Sequence, residues 1–164
     1  MADAALVGLA ERLQGICLGR AVTVATAESC TGGLIAEAIT SVPGSSGYFL
    51  GCIVAYADAV KADLLGVPPT VLVAHGAVSA QVAVAMANGA RERLGATLAV
   101  AVTGVAGPDG GSEAKPVGLT YLGLASAQGA DVRRYVFTGD RAGNRAAAAT
   151  VALEWLVEQA GGPA

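Results

Sequence analysis

The stretch Ala21-Val-Thr-Val-Ala-Thr-Ala-Glu-Ser-Cys-Thr-Gly-Gly-Leu-Ile-Ala-Glu-Ala-Ile-Thr40 decides the fold. Its apolar run, Val22 to Thr26, reads as a buried strand. It passes through Glu28-Ser29-Cys30-Thr31-Gly32-Gly33 directly into a helical pattern, Leu34 to Thr40. A strand, a tight polar turn and a helix start bring hydroxyls and backbone N–H groups to one point. The first N–H groups of a helix lack intrahelical partners and lie at the positive end of its dipole. Such a turn can bind an anion or stabilise an oxyanion, and Gly32 and Gly33 let a ligand approach the backbone closely.

Working outward, Leu6 to Leu18 reads as an amphipathic helix. The helix after the central turn stops before Val42-Pro43-Gly44, and Gly44 to Gly47 reads as a loop. Tyr48 to Tyr56 is β-branched and aromatic, hence a strand. Asp58 to Leu65 is a short helix closed by Gly66, and another runs from Pro69 to His75. Ser79 can cap a helix that reaches Leu94 and stops at Gly95. Thr97 to Thr103 is a strand, followed by a long glycine-rich loop, Gly104 to Pro116. Val117 to Ala125 and Val132 to Phe137 read as a hairpin turning over Ala127 to Asp131, and Asp140 to Glu158 as a closing helix. Strands that alternate with helices and end in a hairpin imply a three-layer α/β/α sandwich. Its mixed sheet is expected to have about five to six strands, within a single domain over residues 1–164.

Composition narrows the function. The chain has 164 residues, of which 54% are hydrophobic and 14% charged, so it can bury a sizeable core. Its net charge of −3 gives no general attraction to a phosphate backbone, and no nucleic-acid partner is expected. No run of about 18 uninterrupted apolar residues occurs, so no membrane span is read. The N-terminus carries early acids and no basic leader, as a first helix would. Cys17, Cys30 and Cys52 are odd in number and widely spaced, which suits a reducing cytoplasm. His75 is the one histidine, so neither a histidine-rich metal site nor any other metal cofactor is expected.

Ser29 is a candidate nucleophile because a strand-to-helix turn exposes it at the carboxyl edge of a sheet. The plain alternative is an N-cap serine. Cys30 is the rival, but without a base its thiol stays protonated near neutral pH. Tyr56 ends a strand and Lys61 follows it on a helix. A desolvated lysine loses proton affinity and can act as general base to a serine. The plain alternative is a solvated surface lysine, although lysine is scarce here, with Lys115 the only other. Thr103-Gly104 opens a glycine loop that resembles an anion cradle without the Walker A Lys-Ser/Thr. Arg141 and Arg145 lie four apart at a helix start, where the dipole disfavours cations, so a phosphate or carboxylate partner explains them. An ion pair with Asp140 or Glu113 would also explain them.

Together these segments resemble the CinA C-terminal family, the nicotinamide mononucleotide (NMN) amidohydrolases of bacterial pyridine-nucleotide salvage. The matching pieces are the Ala27 to Gly33 turn, Pro43 to Ser46, Val54 to Tyr56 with Lys61, and His75 to Ser79. They continue with Thr103 to Gly111, Lys115 to Gly118 and Phe137 to Arg141. The resemblance covers nearly the whole chain. It implies an anticodon-binding-domain-like sheet and hydrolysis of the NMN carboxamide to nicotinate mononucleotide and ammonia, with no cofactor. It places Ser29, Ser46, Tyr56, Lys61, Thr103 and Arg141 in active-site motifs, with Arg145 one helical turn on. Ser29 is expected to attack with Lys61 as base and Tyr56 assisting. Ser46 is then a second hydroxyl of a relay or itself the nucleophile. Thr31, Gly32, Gly33, Thr103, Gly104, Arg141 and Arg145 are expected to bind substrate. The partner implied is a small molecule, with a homo-oligomer possible. Many family members carry an N-terminal molybdopterin-binding-like domain with a pyrophosphatase activity, and the chain begins at the amidohydrolase domain, so that activity is not expected. A non-catalytic nucleotide-binding or regulatory module, or a competence- or damage-associated partner protein, is the alternative.

Overall fold

A computed structural model describes Met1 and residues 3–161. In chain order the elements are α1 (Ala4–Arg20), β1 (Val24–Glu28), α2 (Leu34–Thr40), a 3-10 turn (Ser45–Gly47), β2 (Phe49–Val54), α3 (Asp58–Leu65) and α4 (Pro69–His75). They continue with α5 (Ala80–Leu94), β3 (Leu98–Gly104), β4 (Leu119–Ser126), β5 (Gly129–Val136) and α6 (Arg141–Gly161). The five strands form one mixed sheet in the order β2-β1-β3-β4-β5. β1 runs parallel to both β2 and β3, and the β4–β5 hairpin completes the sheet antiparallel.

The strands alternate large and small side chains, and this sorts the two faces. Val24, Val100, Val102, Leu122 and Leu124 point into a core with α1, α2 and α6. Ala25, Ala27, Ala99, Ala101 and Ala125 point the other way, against α3, α4 and α5. The expected three layers are therefore present. An alanine-lined face lets α5 lie close to the sheet. A methyl on Gly123 would overlap the Ala83 carbonyl oxygen, and one on Gly89 would overlap that of Leu65. Both contacts admit only glycine.

Differences from the sequence reading are small but consequential. β1 lies two residues later than read, so Glu28 is its last residue and is fully buried. The hairpin turns over Ala127 and Gln128 alone, because β5 already begins at Gly129. Ser79 caps α5 as expected, accepting from the Val82 N–H, and Gly66 and Gly95 close α3 and α5 in the left-handed conformation.

This topology places the site. β1 leads to β2 on one side through α2, and the chain then crosses over α5 to β3 on the other side. The carboxyl ends of β1 and β3 therefore flank a topological switch point, where a crevice opens.

Candidate active site

A pocket of about 300 Å³ fills that crevice. Ser29, Cys30, Tyr56, Lys61, Thr103 and Arg141 line it, with Asp58 and the loop after β3. The topology alone brings them together. Ser29 follows β1, Tyr56 follows β2, Thr103 is the next-to-last residue of β3, and Lys61 lies on the helix after β2.

Ser29 extends the β1–β3 pairing by one residue, its N–H donating to the Val102 carbonyl at 3.0 Å. The Gly32 N–H returns to the Ser29 carbonyl at 3.1 Å and closes the turn. Gly32 and Gly33 have φ of 60° and 101°, a left-handed bend that L side chains rarely adopt. The bend carries the chain over the Glu28 carboxylate. That carboxylate accepts from the N–H groups of Gly33 at 3.0 Å, Ile35 at 3.2 Å and Ala36 at 2.9 Å.

The first N–H groups of α2 are thus satisfied from within, which corrects the expectation of an open anion site there. It also disposes of the reading of Ser29 as a cap. The N-cap of α2 is Gly33, and Glu28 supplies the capping oxygen atoms. The amides of Cys30 and Thr31 have no backbone acceptor among the described residues. Glu28 was missed as a functional position. Its signal was an acid closing an apolar run just before a helix that lacks a side-chain cap.

Lys61 is 1% exposed. Its Nζ donates to the Tyr56 carbonyl oxygen at 3.0 Å and lies 3.9 Å from Asp58 Oδ1. Burial holds its ammonium below the ordinary lysine range, and the Asp58 carboxylate opposes that shift. A buried amine with lowered proton affinity can serve as a general base. Burial pushes the Cys30 thiol the other way, up to about 11, so the rival nucleophile is protonated at neutral pH.

Arg141 bridges the mouth of the pocket. Nη1 donates to the Gly107 carbonyl at 2.8 Å and Nη2 to the Tyr56 hydroxyl at 3.1 Å. Thr103 Oγ1 donates to the Ala77 carbonyl at 2.8 Å, which leaves its oxygen free to accept. Gly104 is a packing glycine, since a methyl there would lie 2.7 Å from Thr120 Oγ1 and 3.2 Å from Cys30 Sγ. Asn144 secures the loop after β3, donating to the Ala106 carbonyl at 3.0 Å.

Five expected site residues lie outside the pocket. Ser46 is exposed in the 3-10 turn before β2, at the amino edge of the sheet. Five strand residues at about 3.3 Å each separate the two edges, so Ser46 and Ser29 of one chain cannot form a relay. Thr31 is buried, and its hydroxyl has no partner among the described residues. Gly32 and Gly33 shape the turn without lining the pocket. Arg145 grips the turn instead of facing the pocket, its Nε donating to the Cys30 carbonyl at 3.1 Å and its Nη2 to that of Thr31 at 2.9 Å. His75 is exposed, and its carbonyl accepts from Lys115 Nζ.

Among the described residues no three His, Cys, Asp or Glu side chains converge as metal ligands would, and no helix is long and apolar enough to cross a membrane.

Residues 7–160 match the model of the CinA C-terminal domain. The chain belongs to the CinA C-terminal domain family. It is 56% identical over 137 residues to a CinA-like protein of Geobacter sulfurreducens, covering 84% of this chain and 33% of that protein. A CinA-like protein of Koribacter versatilis is 50% identical over 137 residues, covering 84% of this chain and 33% of the relative. The chain thus spans about one third of the length of these curated relatives. The crystal structure of competence/damage inducible protein CihA from Agrobacterium tumefaciens superposes with a TM-score of 0.90 at 42% identity, covering 96% of both chains. A competence-damaged protein (CinA) superfamily protein from Escherichia coli gives a TM-score of 0.90 at 31% identity, covering 96% of this chain and 92% of that one. The CinA fold is therefore shared over nearly the whole domain.

Proposed function

We propose that this CinA-family domain is an amidohydrolase that converts NMN to nicotinate mononucleotide and ammonia. The observation that carries the reading is Lys61, buried in the same pocket as Ser29, where burial lowers its proton affinity. In the proposed reaction Ser29 Oγ attacks the carboxamide carbon while neutral Lys61 takes the hydroxyl proton. The developing oxyanion is held by the free amide of Cys30, which lines the pocket. Collapse of the adduct breaks the C–N bond, and Lys61 returns its proton to the departing nitrogen as ammonia leaves. Water, deprotonated by Lys61, then attacks the acyl-serine, and the proton passes back to Ser29 Oγ as nicotinate mononucleotide is released.

Thr103 Oγ1 accepts from the carboxamide nitrogen. Tyr56, held by Arg141, covers the substrate ring. Arg141 keeps N–H groups beyond those given to Gly107 and Tyr56, and they bind the phosphate. Binding energy at that remote group orients the small amide. The partner is a small molecule, and the chemistry calls for no redox or metal cofactor. Incubation of the purified protein with NMN tests the reading. Stoichiometric ammonia and nicotinate mononucleotide are expected, and their absence from a folded sample rejects it.

A further inference from the structure

Beyond Arg141, the loop after β3 and the start of α6 enclose a second cleft of about 620 Å³. Of its lining, the proposed chemistry uses Arg141 alone. Ala106, Pro108, Val117 and Ala142 give it apolar walls, and the Arg141 and Arg145 guanidiniums give it charge. Arg141 and Ala106 also line the first pocket, so the two cavities adjoin. The volume lies in the range that holds a small organic ligand.

The electrostatics point to an anion. Neither arginine has a salt-bridge partner among the described residues. The one acid in the wall, Asp140, spends Oδ1 on the Gly143 N–H at 2.8 Å. Arg145 is half-buried, and Nη1 makes no hydrogen bond among the described residues while Nε and Nη2 hold the Cys30 and Thr31 carbonyls. A half-buried guanidinium without a counter-ion, beside a second one, is completed by a phosphate. Phosphate alone would leave the apolar walls open to water.

We infer that this cleft is a second binding site for a phosphorylated ligand with a planar heterocycle, a mononucleotide in class. The phosphate meets Arg145, whose Nη1 is unpaired among the described residues, and the heterocycle lies against Val117, Pro108 and Ala142. Because Arg145 also grips the turn that carries Ser29, occupancy couples to that turn and alters turnover in the first pocket.

The test is equilibrium binding of AMP, with adenosine and inorganic phosphate as the two halves of the probe. AMP is expected to bind one-to-one, at least about tenfold more tightly than either half, and to remain bound with saturating NMN present. Ala142→Glu sets a carboxylate in the cleft wall at a helix start where an acid suits the dipole, so the fold is retained. It is expected to weaken AMP by about tenfold or more while leaving kcat at saturating NMN without AMP unchanged. No AMP binding, or binding untouched by Ala142→Glu in a folded protein, overturns the inference. One-for-one displacement of AMP by NMN also overturns it, since the cleft would then be the far end of the first pocket. Binding is read independently of ammonia release, so this inference and the proposed activity fail separately.

Discussion

Replacing Glu28 by glutamine keeps the side chain's shape and removes its charge. The wild-type carboxylate accepts from the Gly33, Ile35 and Ala36 amides at 3.0, 3.2 and 2.9 Å in a fully buried position. A hydrogen bond to a charged acceptor contributes about 1.5–3 kcal/mol, and bonds that share one carboxylate do not add in full. Glutamine offers one oxygen in place of two. At least one amide N–H then faces an NH₂ group, which costs about 1–3 kcal/mol as an unsatisfied buried donor. Loss of the anion from the start of α2 removes up to about 2 kcal/mol more. The combined effect is about 3–5 kcal/mol. In a domain of this size that lowers the melting temperature by about 6–20 °C. Ser29 is the next residue, so its turn loosens, and kcat for NMN should fall more than KM rises. Glu28→Asp should behave similarly, because its shorter side chain does not span the three amides. Thermal unfolding by circular dichroism, with turnover measured well below the lower transition, checks both effects. A Glu28→Gln melting temperature within about 2 °C of wild type refutes the assignment.

Lys61→Arg should reduce kcat nearly as much as Lys61→Ala, because arginine does not release its proton near neutral pH. The wild-type rate should rise with pH on a limb below the ordinary lysine range, and a near-normal kcat in Lys61→Arg would make Lys61 an electrostatic anchor instead. Lys61 also sets a pH dependence of stability. Below its lowered native pKa the buried charge destabilises the fold, and that cost fades as pH rises toward the unfolded value of about 10.4. Lys61→Met should therefore raise the melting temperature most at acidic to neutral pH, with the gain shrinking in alkali; a pH-independent gain contradicts the burial argument. Arg141→Ala should weaken kcat/KM for NMN by about 2 kcal/mol, or about thirtyfold, and spare nicotinamide riboside, which lacks the phosphate. Arg145→Ala should impair both substrates equally, since it holds the Ser29 turn, and a loss confined to NMN would return Arg145 to phosphate binding. Cys30→Ala should keep most activity; inactivation without a change in melting temperature would favour the thiol.

The sequence by itself determined the elements, their order and most of the pocket. Apolar, β-branched and aromatic runs identify the strands, and glycine and serine stop and start the helices, because these signals are local. Ser29 and Tyr56 follow apolar strand runs, Lys61 lies on the helix after one and Thr103 closes another, so these residues were legible as candidates for the carboxyl edge of one sheet. The same rule already separates Ser46, which precedes a parallel strand, from Ser29, which follows one; a motif resemblance carries no such geometry.

Only the tertiary structure decided what each polar group faces. Glu28 looked like one more residue of a polar turn until the register of β1 buried it beneath α2. Arg141 and Arg145 share a helix face, yet one reaches the pocket mouth and the other the back of the Ser29 turn. Spacing on one helix fixes an angle between two side chains. Their partners come from chain segments more than a hundred residues away in Arg145's case, and those contacts exist only once the sheet and α6 have packed together.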